Sequence, residues 1–163
     1  MSAAFAASCI NSIISRVAEV RQFLPAEIFT SRGQAVFHTT LSVRDYECDM
    51  QGVVNNAVYL HYLEHARHEF LHARGLDFAE LTRQGITVVV IRAELEYKCS
   101  LRSGDHVRIS VRAERTSPLR VLFHQEIRLA DNDRLALSAV ITTTAVNARG
   151  RPWFPEKLAV LLE

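Results

Sequence analysis

The chain has 163 residues, 48% of them hydrophobic, which suits one globular domain with a sizeable core and leaves no need for a second. Its formal charge is +1, acidic and basic residues are interspersed, and no Lys/Arg block recurs with interleaved aromatics, which argues against a nucleic-acid partner. Three cysteines, Cys9, Cys48 and Cys99, form neither a C-x-x-C pair nor a regular framework; a reducing compartment tolerates this, and the expected location is cytoplasmic.

Residues 1–22 are rich in Ala and Ser and carry Arg16 and Arg21 with no acidic residue before Glu19, as an organelle-targeting peptide would, so a plastid is the alternative location. The same stretch sets Ile10, Ile13, Ile14, Val17 and Val20 at helical spacing, and an amphipathic helix capping the domain or a neighbour is the reading adopted. Its apolar run, residues 3–14, is interrupted by Ser8, Asn11 and Ser12 and is too short and polar to span a bilayer. Residues 1–33 are therefore set apart as an N-terminal extension, and residues 34–163 as the domain.

Within the domain, residues 35–43 read as a strand. Asn56–Ala73 reads as a helix with Tyr59, Leu63, Ala66, Phe70 and Ala73 on one face, stopped by Gly75. A short helical turn at Phe78–Arg83 precedes a run of strands. In the first, Val89, Ile91, Ala93, Leu95 and Tyr97 are expected on one face; next come Val107, Ile109, Val111 and Ala113, then Val121, Phe123, Ile127 and Leu129, then Leu135, Leu137, Ala139, Ile141 and Ala145. Arg108, Arg112, Glu114, His124, Glu126 and Arg128 alternate with them, the pattern of an antiparallel sheet with one wet face. Turn residues at Ser103-Gly104-Asp105, Ser117-Pro118 and Asp131-Asn132-Asp133 separate the runs. Pro152 to Pro155 and Glu156–Leu162 read as a terminal strand end and short helix. The expected class is α+β, one long helix on a sheet of about five strands.

Between the first strand and the helix lies Asp49-Met50-Gln51-Gly52-Val53-Val54-Asn55-Asn56. It sets a carboxylate just before a helix whose first N–H groups lack intrahelical partners and carry partial positive charge. That pairing serves acyl transfer: the N–H groups stabilise an oxyanion while the carboxylate attacks the carbonyl or activates water. Asp49 alone is also a common turn or cap residue.

The stretch from Asp49 through Gly52-Val53-Val54-Asn55-Asn56-Ala57-Val58-Tyr59, followed by His65-Ala66-Arg67-His68-Glu69, resembles the hotdog-fold acyl thioesterases of the 4-hydroxybenzoyl-CoA thioesterase branch. It is most similar to the plant and cyanobacterial acyl-lipid, or methylketone-synthase, thioesterases, and the resemblance covers roughly residues 36–146. It implies a curved antiparallel sheet wrapped around one central helix. It also implies two protomers paired edge to edge with active sites at their interface, and a homodimer or homotetramer as the functional unit. The implied reaction is hydrolysis of fatty acyl or 3-oxoacyl thioesters on acyl carrier protein, or of acyl-CoA, without a cofactor.

The resemblance makes Asp49 the catalytic carboxylate, with the Gly52 and Val53 N–H groups at the thioester oxygen. Asn55 and Asn56 cap the helix or orient the carbonyl; several bacterial members carry histidine where Asn56 stands, so no second acid/base is available there. Glu64 is a second candidate carboxylate, since another hotdog branch uses a glutamate on the helix. Tyr59 and Arg67 match recurrent family positions, and Glu64 and Arg67, three apart, can pair with each other or across the interface. Arg102, Arg115 and Arg120 near strand ends can meet CoA phosphates or acidic carrier residues.

Cys48 beside Asp49 reads as an apolar filler rather than a nucleophile. His61, His65, His68 and His72 form a polar stripe without the further ligands of a zinc site, so no metal is expected. Two other functions stay open: a hotdog hydratase or dehydratase, which typically needs a histidine near the aspartate, and a non-catalytic acyl-thioester binding module.

Overall fold

The computed structural model describes residues 28–29 and 35–162, and the helix and targeting readings of residues 1–22 fall outside these. Strands β1 (Ile28–Phe29) and β2 (Ala35–Ser42) are followed by a 3-10 turn (Asp45–Glu47), helix α1 (Asn56–Ala73) and the short α2 (Phe78–Arg83). Strands β3 (Thr87–Tyr97), β4 (His106–Ser117), β5 (Arg120–Leu129), β6 (Leu135–Val146) and β7 (Pro152–Trp153) come next, and a 3-10 helix (Glu156–Leu162) ends the described chain. All strand pairings are antiparallel, in the order β1-β2-β4-β5-β6-β3, with β7 also on β6. The two-residue β1 adds to the expected strands, and β7 falls in the expected terminal strand end at residues 152–155.

Local chemistry sets the bounds of α1. Asn55 is its N-cap, accepting the Ala57 N–H at 3.0 Å, and Gly75, at φ +72°, takes the left-handed conformation that ends it. Its buried residues, Tyr59, Tyr62, Leu63, Ala66, Arg67, Phe70 and Leu71, follow the i, i+3, i+4 spacing of a helix lying on a sheet. Ala73, expected on that face, is exposed; Leu71 continues the buried stripe instead.

The sheet offers this stripe its apolar face. Val107, Ile109, Val111 and Ala113 of β4, Val121, Phe123 and Ile127 of β5, and Leu137, Ala139 and Ile141 of β6 are buried. The Phe70 ring sits 5.8 Å from Phe37 and 6.2 Å edge-on from Phe123, so one aromatic side chain joins α1 to β2 and β5. The other face is polar, with Arg112 on Glu114 and Arg128 on Glu126.

β3 departs from simple alternation. Val90 opposes Thr143 and Arg92 opposes Thr142, so Ile91 is an extra residue, a bulge that flips the parity of the strand. Val88 and Val90 share the inner face with Leu95, and Val89 and Ile91 do not. The expectation of a single face through Val89, Ile91, Ala93, Leu95 and Tyr97 is corrected accordingly: only its second half holds.

Removing the Phe70 ring leaves a void between helix and sheet. Phe70→Ala is expected to lower unfolding free energy by about 3–5 kcal/mol, and Glu69→Ala, at an exposed neighbour, by no more than about 0.5 kcal/mol. Urea unfolding followed by circular dichroism checks this; equal costs would show that Phe70 does not anchor the helix.

Candidate active site

The segment from Cys48 to Val54 forms a small loop closed by a bridge between those two residues. The Asp49 N–H donates to the Val53 carbonyl at 2.9 Å, and the Gly52 N–H donates to the Asp49 carbonyl at 2.9 Å. The Gln51 N–H donates to Asp49 Oδ1 at 2.8 Å, so one carboxylate oxygen orients the turn. Asp49 is exposed, and its Oδ2 takes no hydrogen-bond partner among the described residues. Gly52 has φ +72° with open space where a Cβ would stand, so backbone conformation, rather than crowding, calls for glycine here.

This turn separates the two N–H groups proposed for the oxyanion. That of Gly52 is consumed in closing the loop. That of Val53 has no partner among the described residues and remains free to polarise a carbonyl.

Three contacts fasten the loop to the domain. The Val54 N–H donates to the Leu101 carbonyl at 2.9 Å, the Asn55 N–H to the Glu47 carbonyl at 3.0 Å, and the Tyr62 hydroxyl to Glu47 Oε2 at 2.7 Å. Glu47 also accepts the Arg44 N–H and is paired with its guanidinium at 3.2 Å. Burial pushes the Glu47 carboxyl up, but the bonds from Tyr62 and Arg44 outweigh it and hold the carboxyl below its ordinary range. Burial first, then the bond to Glu47, pushes the Tyr62 hydroxyl far up, so it stays a protonated donor.

The other expected residues separate into groups. Asn55 caps α1, and Asn56 is exposed at its first turn, its carbonyl accepting the Tyr97 hydroxyl at 3.1 Å. Tyr59 is buried and its hydroxyl accepts the Leu101 N–H at 3.2 Å, a packing and loop-holding role with no surface left for substrate. Glu64 is exposed, Arg67 is buried, and the two form no ion pair: Arg67 turns inward, and its Nη1 donates to Gln125 Oε1 at 3.0 Å. Arg102 follows Leu101 beside the loop, whereas Arg120 opens β5 at the far end of the sheet, so the two lie apart within one protomer. The 12-residue β4 between those ends spans roughly 35 Å at strand rise. Arg115 is occupied, donating to the Ser117 and Pro118 carbonyls and lying 3.9 Å over the Phe154 ring.

Cys48 is half-buried against the core. His68 packs on Phe78 at 4.5 Å and His72 lies 3.7 Å from Asp77. Among the described residues no three His, Cys, Asp or Glu side chains gather as a metal site would require.

A cavity of about 290 Å³ lies between the later turns of α1 and the sheet, walled by Leu71, Phe78, Val121, Phe123 and Leu158, with Glu64 and Arg67 on its lining. Another hollow, of about 430 Å³, opens on the polar outer face and is lined by His38, Arg108, Arg112 and Arg128, away from the helix. Sequence reasoning missed Gln125. The available signal was a lone amide at the inward position between Phe123 and Ile127.

Because the folded-state pKa of Glu47 lies below its unfolded value, its pairing contributes stability above the ordinary carboxylate range and loses it as pH falls through the lowered value. Tyr62→Phe is expected to cost about 1.5 kcal/mol near neutral pH and to flatten the acid limb of stability against pH. Parallel limbs for the two proteins in urea titrations would refute the coupling.

A profile of the thioesterase-like superfamily matches residues 43–162. The chain is 36% identical over 137 residues to the chloroplastic acyl-acyl carrier protein thioesterase ATL3 of Arabidopsis thaliana, covering 82% of this chain and 72% of that one. It is 34% identical over 156 residues to the chloroplastic acyl-acyl carrier protein thioesterase ATL2 of the same plant, covering 93% and 83%. The fold matches a solved 1,4-dihydroxy-2-naphthoyl-CoA thioesterase from Synechocystis with a TM-score of 0.74 at 17% identity, over 78% of this chain and 95% of that one. The loop that presents Asp49, the antiparallel sheet under α1 and these matches together place the chain in the thioesterase-like superfamily, the hotdog-fold enzymes that hydrolyse acyl thioesters.

Proposed function

We propose that this protein hydrolyses fatty acyl or 3-oxoacyl thioesters, carried on acyl carrier protein or CoA, with Asp49 as the catalytic carboxylate. The observation that carries this reading is the pairing, in one anchored loop, of an exposed Asp49 with an unpartnered Oδ2 and a Val53 N–H that is also unpartnered. The thioester oxygen accepts the Val53 N–H while charge builds on it. Asp49 then serves by one of two routes. As nucleophile it bonds to the carbonyl carbon, the C–S bond breaks, and water hydrolyses the anhydride; as general base it takes a proton from the attacking water and the thiolate leaves. Asn56 orients the carbonyl or the water at the start of α1. Glu64, at the cavity well along the helix, is the less suitable carboxylate.

The acyl chain runs from this loop along α1 into the cavity, inside a sheet that curves around the helix. Arg102 stands beside the loop, where a carrier phosphate would lie; Arg120 would serve only at the other end. Both Arabidopsis relatives are named chloroplastic, which supports a plastid location and the targeting reading of residues 1–22. Among the described residues no helix is long and apolar enough to cross a membrane.

The edge strand supports a homo-oligomer. β3 ends the sheet with one row of unpaired backbone groups, and Val90, Ile91 and Tyr97 on it are 51%, 49% and 50% exposed. Pairing with a second copy along β3 would satisfy those groups and cover the apolar side chains.

Asp49→Asn is expected to lower thiol release from acyl-CoA and acyl-carrier-protein thioesters by about a hundred- to ten-thousand-fold with the fold intact. Tight acyl binding without turnover in the unaltered protein would instead indicate a binding module. Ile91→Lys is expected to shift the protein to monomer in analytical ultracentrifugation; an unchanged mass would move the interface away from β3.

A further inference from the structure

Arg67 is 9% exposed and has no carboxylate within ion-pair distance among the described residues. Buried arginines ordinarily bond directly to an acid, because desolvating the charge is costly; Glu64 acts on Arg67 only through space, without a hydrogen bond. Here Nη1 donates to the amide oxygen of Gln125, and no other guanidinium N–H has a partner among the described residues. Gln125 is itself 1% exposed, and its amide nitrogen donates to the Leu63 carbonyl at 3.0 Å. Its amide thus holds the guanidinium without neutralising it.

Those remaining N–H groups are not sealed in. The fully enclosed, unpartnered side-chain polar atoms among the described residues are the two ring nitrogens of His38, so the free donors of Arg67 keep access to the cavity that Arg67 lines. The rest of the lining is mostly apolar, Leu71, Phe78, Val121, Phe123 and Leu158 among it; of its polar members, Thr143 and Thr144 donate their hydroxyl protons to the Val121 and Leu119 carbonyls, and His68 packs on Phe78. An unbranched hydrocarbon chain would fill this space and leave a charged donor set facing methylene groups. A chain with an oxygen at that depth would accept from the guanidinium and satisfy it.

We infer that Arg67, held by Gln125, selects acyl chains bearing a neutral oxygen, hydroxyl or oxo, on their distal half. The depth follows from the helix. Arg67 stands eleven residues beyond Asn56, about 16 Å along α1 from the end where the thioester sits. That is well past a 3-oxo group. The charge follows from Glu64, which lines the same cavity and offsets the positive charge of Arg67, so a second carboxylate would meet repulsion. An apolar pair at positions 67 and 125 would close the same core without burying a charge; the pair present leaves guanidinium donors on the cavity lining for a ligand oxygen.

The inference rests on the thioesterase reading for the direction of the chain, and its test separates the two. The unaltered protein is assayed on plain, ω-hydroxy and ω-carboxy acyl-CoA thioesters of graded length, and its thermal stabilisation by the corresponding free acids is measured in parallel. At the chain length that reaches Arg67, kcat/KM for the ω-hydroxy chain is expected to exceed that for the plain chain by about tenfold, the value of one good hydrogen bond. The ratio falls to about one in Gln125→Leu and in the double variant Arg67→Met with Gln125→Leu, whose apolar pair preserves packing.

A ratio near one in the unaltered protein, a preference for the ω-carboxy chain, or equal ratios in all three proteins would overturn the inference. If no thioester is hydrolysed, the thioesterase reading fails. Preferential stabilisation by the ω-hydroxy acid, lost in the double variant, then still decides the role of Arg67.

Discussion

The structure depends on one burial event, the packing of the α1 stripe from Tyr59 to Leu71 onto the apolar face of the sheet. Phe70 sits where Phe37 and Phe123 meet, and Leu63 and Ala66 are fully enclosed beside it. Burying such side chains contributes roughly 1.5–3 kcal/mol each. Because α1 cannot slide without opening this contact, its N-terminus has a fixed position. The Asp49 loop inherits that position.

The loop adds its own restraints. Glu47 collects donors from Arg44 and Tyr62, Tyr59 holds the Leu101 backbone, and Leu101 in turn holds Val54. Buried tyrosines on α1 thereby reach the segments on either side of the carboxylate. This arrangement leaves Asp49 exposed but oriented, one oxygen engaged and one free, which suits a group that must meet a substrate without first paying to order itself.

The interior of the cavity follows a different logic. Apolar walls accept an acyl chain through area alone, with little regard to its length or decoration. Discrimination needs a polar group at a defined depth, and the Arg67–Gln125 pair supplies one, bridging the helix to β5 by two hydrogen bonds. On the proposed reading the site is divided along α1, with chemistry at its first turn and a polar checkpoint farther along.

Much of this was legible in the residues themselves. The helix span, the alternation in β4 and β5, the glycine at 52 and the placement of Asp49 before a capped helix all follow from local rules of periodicity, capping and turn conformation. The β3 faces were misread because a bulge at Ile91 leaves no mark in composition, and Ala73 was misread because spacing alone does not say how far the sheet extends beneath the helix. Gln125 went unremarked because alternation counts apolar residues and passes over an amide among them. Whether Glu64 pairs with Arg67 and where Arg102 and Arg120 lie are questions of long-range contact, and which N–H is free depends on how the turn at Gly52 closes. Sequence determined the elements and the chemical types available, since both depend on near neighbours. Which donors remain unspent emerges with the fold, because the turn at Gly52 and the long-range bond from Arg67 to Gln125 consume others.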